Sequence, residues 1–326
     1  MVNESGGHIM NALVPQQAGE LTAGFSSPSL YSNFIHYVDA SAKTVETYTR
    51  ALRQFAKYLA DNGITEPNPD TITEYRDSLK AAGKAPATVQ IYMTVVRLFF
   101  RYLEREGVYM DIAEHVKGAK VDRSHKKDAL TASQAREVLD TSRKSVEESE
   151  AGLRDYAIVM LTLATGMRTI EVVRANVEDM RNRGGKTVIY IQGKGHEDRA
   201  DWADVPPEVE KVIRSYLTSR HCTDPKAPLF VSVARRDYGQ RMTTRSISRV
   251  IKNAMKSAGY DSPRLTAHST RHTAVTLALL AGIEPRKVKD FARHVSEATT
   301  LIYAHDLSAE ESRDECSEAV AQALFR

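Results

Sequence analysis

Residues Leu265–His305 read LTAHSTRHTAVTLALLAGIEPRKVKDFARHVSEATTLIYAH, and the fold and chemistry of the C-terminal half turn on this stretch. Apolar helical segments are predicted near 271–281, 284–292 and 297–303. Around them stand His268, Arg271, His272, His294 and Tyr303. One helical turn sets His268 and Arg271 on the same side, and a cation beside an imidazole makes a place for a phosphate. His268 and His272 are spaced as in zinc-protease helices, but Ser269 stands where the general-base Glu belongs. Glu284, Asp290 and Glu297 are unpaired, which does not suit two-metal nuclease chemistry. No Walker-type glycine loop is present. Phosphoryl transfer here has to rest on side-chain cations, and no metal or other cofactor is expected.

The rest of the chain supplies the frame. Its 326 residues suit two domains, and a composition 42% hydrophobic and 27% charged is that of a soluble globular protein. Formal net charge is only +3, yet 45 Lys and Arg can be segregated into a basic face. Cys222 and Cys316 follow no ligand spacing and read as free thiols of a reducing compartment, so a cytoplasmic location is expected. No Lys or Arg precedes Lys43 and no apolar run reaches a membrane span, which argues against a signal peptide and a membrane function.

Residues 1–30 are rich in Gly, Ser, Pro, Ala and Gln, and read as a flexible lead segment. From Ser41, Tyr48, Leu52, Phe55 and Leu59 recur at helical spacing, with Arg50, Arg53 and Lys57 off that stripe. Ile72, Tyr75 and Leu79 mark a second helix. A third, entered at Pro86, carries Val89, Tyr92, Val95, Phe99 and Leu103, with Arg97, Arg101 and Arg105 alongside. Basic residues on consecutive helices point to a DNA-facing surface. A helical domain is therefore expected over 31–118 and a linker over 119–130, where Lys126 and Lys127 are further candidate DNA contacts. Extended, such a linker spans about 40 Å.

The second domain, 131–326, is predicted to open with helices near 131–144 and 151–165. KTVIYIQGKGHEDRADWADVP (Lys186–Pro206) alternates on both sides of Gly193-Lys194-Gly195, which predicts a β-hairpin or short sheet with Lys194 at its turn. Helices follow near 206–219 and 243–258, and a last one opens with a capping box at Ser308 and Glu311. The fold class is mainly α, with a small antiparallel sheet in the second domain.

Arg168 in ATGMRTIEV, Lys194 in QGKGHEDR, His268 and Arg271 in AHSTRHT, His294 in ARHVSEATT and Tyr303 in LIYAH stand in the order and approximate spacing of the tyrosine recombinase (phage integrase) family. Beyond about residue 30 the chain resembles its short two-domain, Xer-like members. The resemblance implies a helical core-binding domain and a catalytic domain forming a C-shaped clamp on duplex DNA. It implies that Tyr303 attacks the scissile phosphate, giving a 3′-phosphotyrosyl link and a free 5′ hydroxyl. A phenol of pKa about 10 needs help at neutral pH. Arg168 and Arg271 would grip the non-bridging oxygens, and His268 would assist proton transfer. His294 would hold a phosphate oxygen or orient the tyrosine, Lys194 would protonate the leaving oxygen, and Glu171 would orient Arg168.

Partners implied are paired recombination sites on double-stranded DNA and a homotetramer that exchanges its last helix through Ala319, Val320 and Leu324, with accessory DNA-bending or directionality factors. Strand exchange would pass through a Holliday junction, in mobile-element integration and excision or, alternatively, chromosome-dimer resolution. A type IB topoisomerase, which relaxes supercoils with the same nucleophile, and a non-catalytic DNA-binding regulator on this scaffold are the competing functions. Two positions depart from the family pattern. Thr270 stands where Leu is usual, and Arg293 where Gly is usual. Arg293 has no free access to a glycine-only conformation, so a different local turn and an added phosphate contact are expected there.

Overall fold

The computed structural model describes residues 28–121, 128–147, 149–192 and 200–304, together with Ser317, Val320 and Gln322. By internal contacts the chain divides into two compact units, Met1–Arg123 and Ser124–Arg326.

The described part of the first unit is helical: α1 (Pro28–Val38), α2 (Ala42–Asp61), α3 (Pro69–Ala81) and α4 (Pro86–Arg105). Local chemistry sets the starts. The Ser41 hydroxyl accepts from the Thr44 N–H, Asn68 and Thr71 form a reciprocal capping box, and Pro69 and Pro86 occupy first-turn positions where a missing N–H costs nothing. The predicted stripes of α2 and α3 are buried at Leu52, Phe55, Leu59, Ile72, Tyr75 and Leu79. Helix α4 is buried more widely than one stripe, because Met93, Val96, Phe100 and Tyr102 join the predicted positions in the core. It is the central helix of this unit.

Helix α1 departs from the sequence expectation. A lead segment running to residue 30 is expected, whereas the helix starts at Pro28 and carries Phe34 into the core, where its ring meets Phe99 at 5.2 Å and Tyr102 at 5.6 Å. One buried aromatic on a short helix leaves little periodicity to read.

The second unit contains α5 (Ala132–Arg143), α6 (Glu150–Thr165), α7 (Thr169–Arg174), α8 (Pro207–Ser219), α9 (Thr244–Ser257), α10 (Ala267–Leu280) and α11 (Pro285–Ala292), with a further helix over 297–304 that we label α12. Three strands, β1 (Met180–Arg183), β2 (Lys186–Ile191) and β3 (Asp201–Asp204), form an antiparallel sheet in the order β1-β2-β3. Ile189, Ile191 and Ala203 face the core beneath it. The β2–β3 pairing, Ile191 opposite Asp201, bears out strands on both sides of the glycines. It separates them by residues 192–200, and Lys194 lies outside the described residues.

Strand β1 escaped the sequence reading because MRNR has no apolar alternation. The signal was Gly184-Gly185, both at positive φ (59° and 81°), the two-residue turn that joins twisted antiparallel strands. Helix α10 starts at Ala267, four residues before the predicted 271, where the Ser269 hydroxyl accepts from the Thr266 N–H at 3.0 Å. That early start brings His268 onto the helix. No described helix is long and apolar enough to cross a membrane.

Candidate active site

Helix α6 ends at Gly166, whose left-handed backbone (φ 60°, ψ 20°) turns the chain towards Arg168. Arg168 is the N-cap of α7. Its backbone N–H donates to Glu171 Oε2 at 2.8 Å and its Nη1 to Oε1 at 2.7 Å. Helix α10 directs His268, Arg271, His272 and Val275 along one face, the i, i+3, i+4, i+7 set. Helix α11 ends in a left-handed turn at Arg293, which delivers His294, and α12 carries Tyr303.

The turn at Ala292–Arg293 ties these pieces together. Arg271, only 2% exposed, donates through Nη1 to the Gly166 carbonyl at 2.8 Å and through Nη2 to the Ala292 carbonyl. Arg168 donates through Nη2 to the carbonyl of Arg293 at 3.1 Å. Adjacent carbonyls of one turn therefore position both guanidinium groups. Burial, then the neighbouring charges of Arg168 and Arg293, pull the pKa of Arg271 down. Burial works to raise the Glu171 carboxyl, but Arg293 and the N–H groups of Arg168 outweigh it, so this carboxyl sits below its ordinary value.

Arg293 corrects two expectations. It does adopt the left-handed conformation (φ 54°, ψ 48°), at a strain of roughly 1–2 kcal/mol, so the turn is of the kind a glycine would make. Its side chain is also only 5% exposed, and it donates to Glu171 Oε2 at 3.2 Å. A buried ion pair offsets the strained backbone, and the charge points into the protein instead of adding a phosphate contact. At the other departure, Thr270 is buried and its hydroxyl donates to the Ala267 carbonyl at 2.8 Å, so a polar residue fits where Leu is usual.

Tyr303 is 5% exposed and packs with Val275, Val288 and Ala292. Its ring lies 5.1 Å from that of His272 and 6.2 Å from that of His294, stacked on the latter. Burial pushes the phenol up to about 12, with Arg271 and then Arg168 opposing. His294 is buried, and its Nδ1 lies 2.8 Å from the Thr300 hydroxyl. Burial, followed by Arg271, Arg168 and Arg293, lowers its pKa to about 4, so it is neutral at physiological pH. His272 was missed as a site residue. The signal was its four-residue spacing from His268, which the sequence reading used only to weigh zinc; the two rings meet edge-on at 4.7 Å.

Arg168, His268 and Arg271 line a cavity of about 650 Å³ together with Ser248, Arg249 and Lys252 of α9. Among the described residues its lining holds no carboxylate. Arg249 and Lys252 were also missed, since the α9 segment signals only a helix. Of the predicted DNA contacts in the first unit, Arg53 and Arg101 are exposed, and Arg50 and Lys57 form exposed ion pairs with Glu46 and Asp61. Arg97 is half-buried and bonds the Met93 carbonyl. Lys126 and Lys127 lie outside the described residues, as do Ser308, Glu311, Ala319 and Leu324 of the last helix; Val320 is helical and exposed.

The His294 shift has a measurable consequence. Unfolded, this imidazole takes up a proton near pH 6.5; folded, it does so only near pH 4. Between these values the unfolded chain binds more protons, so stability falls as pH drops through that window. Allowing for its partial burial, the loss is on the order of 2 kcal/mol. Denaturant unfolding at pH 7 and 4.5 should show a correspondingly smaller fall in His294→Gln; an equal fall in both proteins would assign the acid sensitivity elsewhere.

A helical unit followed by a mixed unit that brings two guanidinium groups and an imidazole to one cavity, beside the helix whose His272 and Val275 pack with the Tyr303 phenol, defines the tyrosine recombinase class. Similarity to known proteins agrees. Residues 30–107 match the phage integrase N-terminal SAM-like domain, and residues 128–310 match the phage integrase family. The chain belongs to the phage integrase family, and it is a site-specific recombinase. It is 31% identical to tyrosine recombinase XerC of Corynebacterium glutamicum over 296 residues, 87% of this chain and 90% of that one. It is 28% identical to tyrosine recombinase XerD of Listeria innocua over 290 residues, 85% and 93% of the two chains. The fold is similar to that of XerH recombinase bound to its palindromic difH substrate (TM-score 0.71, 19% identity, 97% of this chain and 94% of that one) and to that of the Tn1549 transposon integrase in complex with transposon right end DNA (TM-score 0.67, 16% identity, 87% and 98%).

Proposed function

We propose that this recombinase cuts and rejoins duplex DNA through a 3′-phosphotyrosyl bond to Tyr303, with Arg168 and Arg271 as the transition-state clamps. The observation that carries the reading is the cavity in which Arg168, His268 and Arg271 converge with Arg249 and Lys252, with no carboxylate among its described lining, beside the helix face that holds the phenol. A pentacoordinate phosphate accumulates charge on its non-bridging oxygens, and fixed guanidinium donors stabilise that charge without reorganising. Glu171 holds Arg168 in place. The Tyr303 proton passes to a nearby imidazole, His272 or His268, as the oxygen attacks, and Lys194 donates the proton to the departing 5′ oxygen. The P–O bond to tyrosine replaces the broken one, so rejoining by the 5′ hydroxyl needs neither ATP nor metal.

The exposed arginines of the first unit, and Lys126 and Lys127, serve as phosphate contacts, the two units together hold the duplex, and the last helix docks on a neighbouring protomer to build a tetramer on paired sites. Integration and excision of a mobile element is the biological role we favour, on the departures at Thr270 and Arg293 and the unusual lead segment.

The test works without a known target sequence. Duplexes with a randomised core and a nick that lets the 5′ fragment escape are incubated with the protein and EDTA, and covalently trapped species are sequenced. A set of related sequences joined to Tyr303 through a 3′ phosphate is expected, while a supercoiled plasmid lacking such a sequence stays supercoiled. Absence of any adduct would overturn the reading, and relaxation of the plasmid would favour a topoisomerase.

A further inference from the structure

Glu171 poses an electrostatic difficulty for the site. Its carboxylate is 5% exposed, and both of its oxygens accept from Arg168: Oε1 from Nη1 at 2.7 Å, Oε2 from the backbone N–H at 2.8 Å. A one-to-one pair of this kind holds the guanidinium still but cancels its charge, which is what a phosphate clamp has to offer. A second cation on the same carboxylate changes the balance. Arg293 Nη2 reaches Oε2 at 3.2 Å from a side chain 5% exposed, and lines a different cavity with Asp201, Asp290 and His294. Arg168, Glu171 and Arg293 together carry one net positive charge, where Arg168 and Glu171 alone carry none.

We propose that Arg293 is a positioning residue that acts as counter-ion to Glu171, so that Arg168 is held by the carboxylate yet keeps its charge for the scissile phosphate. The proposal rests on the phosphotyrosyl reading for its catalytic consequence. Three observations support it. The guanidinium donates to Glu171 and, through Nη1, to the Phe291 carbonyl at 2.9 Å, and it does not line the phosphate cavity. The residue holds a left-handed backbone that glycine would adopt without strain, so some other interaction holds an arginine there. Its own carbonyl accepts from Arg168 Nη2, so one residue both orients that guanidinium and balances the acid beside it.

The variants are Arg293→Gln and Arg293→Lys. Both carry the same left-handed strain and both lose the bond to the Phe291 carbonyl, so those costs cancel between them and charge is the main difference left. On a duplex trapped by the wild type, single-turnover adduct formation is expected to slow about tenfold or more in Arg293→Gln, with duplex affinity within about threefold, and to stay within about threefold of wild type in Arg293→Lys. The second readout uses the free protein. His294 feels the charges of Arg271, Arg168, Arg293 and His268, so removing the Arg293 charge should move its NMR titration upward in Arg293→Gln and not in Arg293→Lys. A merely structural role would affect both variants alike. An unshifted His294 in Arg293→Gln, a wild-type rate in that variant, or equal losses in both would overturn the proposal. Failure of the wild type to form any adduct would count against the phosphotyrosyl reading alone, and the His294 titration would still decide whether Arg293 supplies the charge.

Discussion

Tyr303→Phe is expected to hold duplex DNA as tightly as the wild type and to form no covalent adduct with it. The ring packs against Val275, Val288 and Ala292 and stacks on His294, contacts that phenylalanine keeps, so stability should change by no more than about 1 kcal/mol. The hydroxyl is the only group removed. Burial holds it at a pKa of about 12, so at pH 7 roughly one phenol in 10⁵ is ionised and deprotonation in advance of attack costs about 7 kcal/mol. In the proposed mechanism proton loss therefore accompanies the attack, as charge passes to phosphate oxygens held by Arg168 and Arg271. Gel shift on a trapped duplex and denaturing electrophoresis of the same samples measure binding and adduct side by side. An adduct in Tyr303→Phe would remove the nucleophile from this position, and a lost gel shift would make Tyr303 a folding or DNA contact residue.

The parts of this site that were legible in the sequence are those whose chemistry is rare and whose spacing is helical. His268, Arg271, His294 and Tyr303 stand out because cations, imidazoles and a phenol seldom cluster in otherwise apolar helices, whereas Arg168 is legible only through the family resemblance, and the structure gathers all five in one unit. The helices of the first unit were legible for a related reason, since Leu52, Phe55, Ile72 and Phe99 mark stripes that are buried. What stayed hidden depends on neighbours distant in sequence. Strand β1 is polar in all but its first residue and is paired only because β2 lies opposite. Arg293 looked like a residue at odds with its turn, since the ion pair that offsets the strain comes from Glu171, 122 residues away. Arg249 and Lys252 look like the solvated face of α9 until the fold sets α7 and α10 beside them and makes them part of a cavity lining.

In the proposed mechanism Arg271 joins stability to catalysis, and substitution there should affect both by different amounts. The guanidinium is 2% exposed and spans the carbonyls of Gly166 and Ala292, joining the end of α6 to the end of α11. Arg271→Ala leaves two buried carbonyls without their donor, for a loss of about 2–4 kcal/mol, and removes a clamp of the kind whose loss costs on the order of 10²–10³ in rate. Arg271→Lys retains a cation of similar reach but not the fork that bonds both carbonyls and faces a phosphate with what remains. It should lose less stability than alanine while still slowing adduct formation about 10²-fold. Denaturant unfolding and single-turnover cleavage on the same preparations give the two numbers independently. Full activity in Arg271→Ala would exclude this residue from the chemistry. Wild-type activity in Arg271→Lys would mean that charge alone suffices, and the shared turn at Ala292–Arg293 would then be a matter of folding and not of holding two guanidinium groups at the geometry a transferring phosphate requires.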